Sequence, residues 1–378
     1  MDLSLLLHDL RELVECESPS SDLAAVARSA DLVARIGTAR LGVEPEFVVL
    51  DGRTHLRWRF GTGPTRVLVL GHHDTVWPIG SLLTHPWSDE GGVVRGPGCF
   101  DMKAGLAMAF HGLADLAERD GVTLLVTGDE EIGSPSSREL IEEEAGGASA
   151  ALVLEASADG GALKTERKGV SLYEVGVVGR AAHAGLEPER GVNAALELAH
   201  QLLVVSSLGD PDAGTTVTPT VAQAGTTTNT VPASGSFAVD VRARTSAEQD
   251  RVHKAMLTLR TVVPCAALEI SGGPNRPPLE AAASAELFDR ATALAQQLGV
   301  PAPTRAAVGG ASDGNFTAGV GIPTLDGLGA VGGGAHADDE HVLVDELPGR
   351  TTLLAALVSD LLAEPTKPLE RSGAAWNP

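Results

Sequence analysis

The 378-residue chain is short of aromatic, cysteine and basic residues, and each shortage closes off a class of protein. Phe, Trp and Tyr together make up 3% of the residues, so the cores must be aliphatic. The three cysteines, Cys16, Cys99 and Cys265, are widely separated and odd in number. They can form neither a disulfide framework nor a CxxC zinc motif, a usage that a reducing compartment permits. Lys and Arg number 28 against 50 Asp and Glu, a formal net charge of −22. With no basic face anywhere, nucleic acid is not an expected partner, and the acidity reads as a well-solvated surface. No apolar run approaches the ~20 residues that cross a bilayer, so no membrane role is expected. The opening residues lack a basic n-region and place Leu3, Leu6, Leu7, Leu10, Leu13 and Val14 at helical spacing. They read as an amphipathic helix and not a signal peptide, and a cytoplasmic location is expected.

What is present is a soluble globular pattern with 43% hydrophobic and 21% charged residues, long enough for two domains. Up to about residue 165, helical and strand patterns alternate. A helix is predicted over 23–41, ended by Gly42, with strands over 46–50 and 66–70. A helix over 102–118 would bury Leu106, Ala109, Leu113 and Leu116 on one face. The runs at 122–127 and 151–154 are continuously apolar, as in parallel strands buried on both sides. An α/β domain with a mainly parallel sheet follows. From about 170 to 280 the order becomes β-α-β-β-α-β, with strands at 171–178, 216–224, 236–244 and 266–271 and helices at 192–208 and 247–263. That order is the ferredoxin-like arrangement. Helices over 283–298 and 348–362 resume the first style, so residues 169–279 are expected to be a domain inserted into one made of 1–168 and 280–378. Residues 367–378 read as a disordered tail.

Groups at the ends of parallel strands face the ligand crevice of an open α/β sheet, and four of five candidate metal-ligand positions fall there or in the loops that follow. The strand at 66–70 runs into Gly71-His72-His73-Asp74. His72 and Asp74 point the same way if the chain stays extended, which suits a metal-bound imidazole and the carboxylate that orients it. His73 points oppositely, as a packing or surface residue. Asp101 follows Gly96-Pro97-Gly98. Alone it reads as a helix N-cap or as a carboxylate aimed by glycines at two cations. Asp129-Glu130-Glu131 ends strand 122–127. Three adjacent acids repel one another unless cations are present, though they also suit a solvated loop before a helix N-terminus. Glu155 ends strand 151–154 and by itself is an ordinary strand-end acid. His336 stands in a glycine-rich loop, where alone it reads as a loop histidine, with His341 as a surface one. Taken together, His72, Asp101, Glu131, Glu155 and His336 supply two imidazoles and three carboxylates, a set suited to two borderline hard cations. An adjacent spare acid would be the base that hydrolysis needs.

The motifs GHHDTV, GPGCFDMKAG, TGDEEIGS and LEA, in this order between about residues 66 and 345, resemble those of the M20 metallopeptidases. That group includes glutamate carboxypeptidase, aminoacylase, acetylornithine deacetylase and succinyl-diaminopimelate desuccinylase. RAAHAG, ERGVNAALEL and VPASGSFAVDVR are most similar to the glutamate carboxypeptidase branch, whereas ERKG at 166–169 is more like the deacylases. The resemblance implies a di-zinc catalytic domain carrying an inserted lid and dimerisation domain. Asp101 would bridge two Zn2+ ions, for which Co2+ or Mn2+ could substitute. His72 and Glu155 would complete one site, and Glu131 and His336 the other. Glu130 would be the general base and Asp74 would orient His72. In the inserted domain, His183 would stabilise the oxyanion of the neighbouring subunit's active site, making a homodimer functional. Asn229 and Arg242 would contact the substrate carboxylate, with Arg276 as a further basic contact and residues 309–313 backing the substrate.

The expected activity is hydrolysis of the amide in an N-acyl amino acid or peptide conjugate with a free carboxylate, releasing an amino acid such as C-terminal glutamate. The alternative is a deacylase that removes a small acyl group from an amino acid. A non-catalytic binding protein is the remote third reading, and the intact ligand and base positions speak against it.

Overall fold

The computed structural model describes residues 1–364. The tail expected at 367–378 lies outside the described residues. The described residues divide into two compact units, one of Met1–Glu166, Leu279–Val308 and residues 312–364, the other of Arg167–Pro278 with Gly309–Ala311.

The first unit is built on a sheet whose central strands contain almost nothing polar. Strands β1 (Glu46–Leu50), β2 (Arg53–Arg59), β3 (Val67–His72), β4 (Val122–Thr127) and β5 (Ala150–Val153) lie in the order β1-β2-β4-β3-β5, and the short strand Thr324–Leu325 adds beside β5. β3 runs parallel to β4 and β5, and Thr324–Leu325 parallel to β5. The β1–β2 hairpin joins antiparallel to β4 at one side. Because side chains alternate across a strand, Val67 and Val69 enter one core with helices α1 (Leu3–Glu15), α2 (Leu23–Leu41) and α3 (Ala104–Ala114). Leu68 and Leu70 enter a second core with α4 (Arg138–Ala145) and Phe316 on the other side. Both faces are therefore covered, which is why these strands read as unbroken apolar runs.

Two expectations need correction here. Strand β2 was not predicted, since its sequence RTHLRWR carries three arginines and a histidine. It is an interior strand nonetheless, because Arg57 pairs at 2.6 Å with both Glu46 and Glu144. The helix expected over 102–118 begins at Ala104 and ends at Ala114. A separate π-helical turn, Cys99–Lys103, precedes it, with non-helical angles at Asp101 and Met102 and a cis peptide between them.

In the second unit, strands β6 (Gly169–Val178), β7 (Thr216–Ala224), β8 (Ser234–Ala243) and β9 (Ala267–Arg276) form an antiparallel sheet in the order β7-β8-β6-β9. With helices α5 (Ala194–Ser206) and α6 (Ser246–Leu257) between them in sequence, this is the ferredoxin-like connectivity. Tyr173, Val175, Val177, Phe237, Val239 and Val241 form its core. All three cysteines are free thiols. Among the described residues, no helix is long and apolar enough to cross a membrane.

Candidate metal centre

The end of β3 delivers His72 into a fully buried position. Its Nδ1 lies 3.0 Å from the main-chain oxygen of Asp74 and 3.4 Å from the Asp74 carboxylate. Donation from Nδ1–H to that carbonyl leaves Nε2 as the lone-pair nitrogen, the tautomer a metal ligand needs. The Asp74 carboxylate is committed elsewhere as well. It accepts from Ser20 Oγ at 2.6 Å and from the backbone N–H groups of Glu130 and Glu131 at 3.3 Å each. It braces the neighbouring acidic loop at least as much as it orients His72.

Asp101 stands between two histidines. Its Oδ1 is 3.4 Å from His72 Nε2, and its Oδ2 is 3.4 Å from His336 Nε2. Gly98, just before it, has φ +70°, and a Cβ there would come within 2.5 Å of Thr75, so only glycine lets the chain turn this closely. His336 also meets Glu131 at 3.1 Å, while Glu155 lies 3.5 Å from His72 Nε2. His336 itself holds φ +63°, a left-handed conformation that non-glycine residues adopt at a cost and that clusters at functional sites. Ligand atoms of His72, Glu130 and Glu155 lie within 4.8 Å of one another, and so do those of His72, Asp101 and Glu131. All five residues expected as ligands thus converge with Glu130 in one cluster.

The electrostatics of the cluster demand positive charge. Burial disfavours the His72 imidazolium, yet the carboxylates of Asp101, Asp74 and Glu155 around it raise its pKa well above the ordinary value. Asp101 and Glu131 push His336 up to about 10. Burial raises Asp101 as well, but His336 and His72 outweigh it and hold the carboxyl far below the usual carboxylate range. Burial pushes Glu131 upward, with His336 pulling the other way and the Asp101 charge adding to the rise. His72 Nε2 and Asp101 Oδ1 are nevertheless buried with no hydrogen-bond partner. Unsatisfied buried polar atoms of this kind are costly unless a cation takes them up, and the mixed imidazole and carboxylate set fits a divalent metal.

The acidic run at 129–131 separates into three environments. Asp129 accepts from the Ser136 and Ser137 backbone N–H groups and hydroxyls at 2.5–3.2 Å, so it is a structural acid at the entry to α4. Glu130 and Glu131 turn toward the histidines. His73 is buried, as a packing residue, with its ring nitrogens on Ser29 Oγ and the Thr54 carbonyl, and burial lowers its pKa to about 4. His341, expected at the surface, is half-buried in a short strand beside the Asp339 carbonyl. Ser20 and Glu340 went unrecognised in the sequence. Ser20 carries no motif, and Glu340 showed only as one acid in an acidic loop.

In the second unit, His183 and Thr230 are cross-strand partners, and Ala184 N–H donates to the Asn229 carbonyl at 2.9 Å, so His183 and Asn229 are brought together. His183 Nδ1 accepts from the Gly185 and Leu186 N–H groups at 3.2 and 3.1 Å. Its proton therefore resides on Nε2, on an exposed side chain. Arg242 and Arg276 both pair in register with Val170, from opposite sides. Arg242 is held by a two-point contact with Asp240 at 2.8 Å, which occupies much of its guanidinium.

Against known proteins, residues 68–360 match the model of peptidase family M20/M25/M40. The chain is 33% identical over 311 residues to carboxypeptidase G2 of Pseudomonas sp. (strain RS-16), covering 80% of this chain and 75% of that protein. It is 28% identical over 219 residues to acetylornithine deacetylase of Myxococcus xanthus, covering 53% and 55%. The fold is also that of an M20 family metallo-carboxypeptidase from Sulfolobus solfataricus, with a TM-score of 0.74 at 17% identity, covering 96% of this chain and 99% of that one.

Proposed function

Because the chain belongs to the M20/M25/M40 peptidase family, we propose that this metallohydrolase uses two zinc ions to cleave an amide beside a free carboxylate, releasing an amino acid such as glutamate. The observation that carries the dinuclear reading is the placement of Asp101, whose two oxygens each face a different histidine at 3.4 Å. A carboxylate presented this way suits two cations, with His72 and Glu155 on one side and Glu131 and His336 on the other. Bound zinc, or cobalt or manganese in its place, would supply Lewis acidity and bring the pKa of water toward neutrality.

The chain's own groups then have separate tasks. Glu130 accepts the proton of the attacking water and returns it to the leaving amine nitrogen. His183, with its proton fixed on Nε2 by the two N–H donors on Nδ1, is a neutral donor suited to a developing oxyanion. Asn229, Arg242 and Arg276 form the carboxylate-recognition set. Apolar side chains exposed on α5 and β7, Leu196, Leu203, Val204 and Val221, together with the edge position of β7, support a homodimer through this unit. That assembly would let His183 serve the partner subunit's site. The free thiols fit a reducing cytoplasm.

Likeness to carboxypeptidase G2 favours glutamate release. The shorter match to acetylornithine deacetylase, and the engagement of Arg242 by Asp240, favour a small-acyl deacylase as the second reading. A panel of N-acyl-glutamates, N-acetyl amino acids and dipeptides, compared by kcat/KM, separates the two. Preference for a bulky acyl group on glutamate supports the first reading, and preference for N-acetyl or N-succinyl substrates regardless of the amino acid overturns it.

A further inference from the structure

Glu340 is 4% exposed, and its carboxylate is surrounded by donors. Oε1 accepts from the backbone N–H groups of Phe100 and Asp101 at 2.9 and 3.0 Å. Oε2 accepts from the Gly98 N–H at 3.0 Å and from Trp77 Nε1 at 2.7 Å. Three backbone donors of one turn, those of Gly98, Phe100 and Asp101, thus converge on a single side chain from more than 230 residues away. The turn they belong to is the π-helical segment whose angles depart from helix at Asp101. Its Phe100 and Asp101 N–H groups, with that of Gly98 just before it, are oriented toward Glu340, an arrangement that local sequence does not provide.

The same residue closes a second turn. Glu340 N–H donates to the Ala337 carbonyl at 3.0 Å, and Ala337 N–H donates to Gly334 at 2.9 Å, so His336 is carried on a turn locked at its far end by Glu340. Gly334, at φ +74°, has Glu340 N only 2.8 Å from where a Cβ would lie, which leaves this turn no slack. One residue therefore ties the backbone of Asp101 to the backbone of His336, and those two side chains face each other at 3.4 Å.

We infer that Glu340 is a positioning residue for the dinuclear centre: its carboxylate sets the spacing between Asp101 and His336 and so governs occupancy of the metal position that they share with Glu131. This rests on the dinuclear reading above. Only a carboxylate satisfies four donors at once, since a carboxamide replaces one acceptor oxygen with an NH2 group that confronts two of them. Partners that orient metal ligands typically change affinity about 10–100-fold when altered.

The test uses metal-free full-length protein titrated with Co2+ and followed by visible absorption and calorimetry. Wild-type protein should bind two equivalents, and failure to do so would overturn the dinuclear reading itself. In Glu340→Gln, one Co2+ should bind at close to wild-type affinity, while the other weakens at least about tenfold with altered d–d bands. A variant with lowered thermal stability but wild-type Co2+ affinities and spectrum would reduce Glu340 to a fold-stabilising acid and overturn the inference. Trp77→Phe removes one donor without touching the carboxylate or the metal ligands, and covers the case in which Glu340→Gln does not fold. It should weaken the same Co2+, though less than Glu340→Gln does because three of the four donors remain, and unchanged Co2+ binding there would equally refute the positioning role.

Discussion

Replacing Glu130 and Glu131 one at a time by Gln separates the base from the ligand in the acidic loop, because the two residues are neighbours in sequence and differ only in what they face. Asp101, Glu130, Glu131 and Glu155 carry four negative charges into one cluster, the charge that two dications balance. Glu130→Gln leaves every assigned ligand in place and removes one charge, so both metals should stay bound with modestly lower affinity. Its cost falls on proton transfer. A positioned general base contributes about 10²–10⁴ in rate, equivalent to roughly 3–5.5 kcal/mol in the barrier, so kcat should fall by that factor with KM little changed. Glu131→Gln instead removes the group 3.1 Å from His336 Nε2. It should drop metal content from two equivalents toward one, along with activity. The assay is metal analysis by mass spectrometry on the same samples used for steady-state kinetics, with circular dichroism to establish folding. Ligand atoms of Glu130 also lie within 4.8 Å of those of His72 and Glu155, so a ligand role is geometrically open to it. Loss of a metal from Glu130→Gln, or near-normal kcat with both metals present, would refute the division of roles.

Metal uptake should release protons, because His336 in the metal-free protein is raised to about 10 by Asp101 and Glu131 and a metal needs it neutral. Affinity should therefore strengthen about tenfold per pH unit for each proton displaced below that value; calorimetry in buffers of different ionisation enthalpy reads the release, and identical heats in all buffers would contradict it. Leu203, 74% exposed on α5, should anchor the homodimer; Leu203→Lys should yield a monomer by light scattering while keeping the circular dichroism of the wild type, and an unchanged dimer would move the interface elsewhere. Asp9 is buried between Arg40, in two contacts of 2.7 Å, and His111 Nε2 at 2.8 Å. Asp9→Ala strands these partners and should lower unfolding free energy by roughly 3 kcal/mol in urea titrations. Burial raises the Asp9 pKa, but Arg40 and His111 outweigh it and bring it below 3.8. The wild-type contribution is thus fully present above that value and lost as pH falls through the lowered one, and a stability difference between wild type and variant that persists unchanged under strongly acid conditions would argue against the pair.

Of the five expected ligands, His72, Glu131 and Glu155 stood out as a group because they lie at or just beyond the ends of parallel strands, whereas Asp101 and His336 reach the same cluster from a π-helical turn and a glycine-rich loop. The helix Leu23–Leu41 was equally plain, with Asp22 accepting at its start and Gly42 at φ +71° ending it. What escaped notice depends on partners far along the chain. Arg57 and Arg59 make β2 look like a loop until Glu144, more than 80 residues on, is placed beside them. Apolar residues at helical spacing continue as far as Leu116, so periodicity alone could not show that the helix stops at Ala114.

Glu340 and Asp129 extend the same point to the chemistry of the centre. Binding two dications calls for several carboxylates at close quarters, and a chain that gathers acids this closely must hold them against their own repulsion when metal is absent. Added arginines would neutralise the charge but compete with the metal for the same oxygens. The protein instead uses a second set of buried acids, Asp129 and Glu340, whose charge is met by backbone N–H groups, hydroxyls and one indole. Those donors are dipoles with no free cation to offer, so they fix the loops without occupying the ligand oxygens. Sequence composition records both sets of acids alike, as negative charge. They become distinguishable only by what faces each carboxylate: main-chain donors around the supporting acids, and two histidines around Asp101.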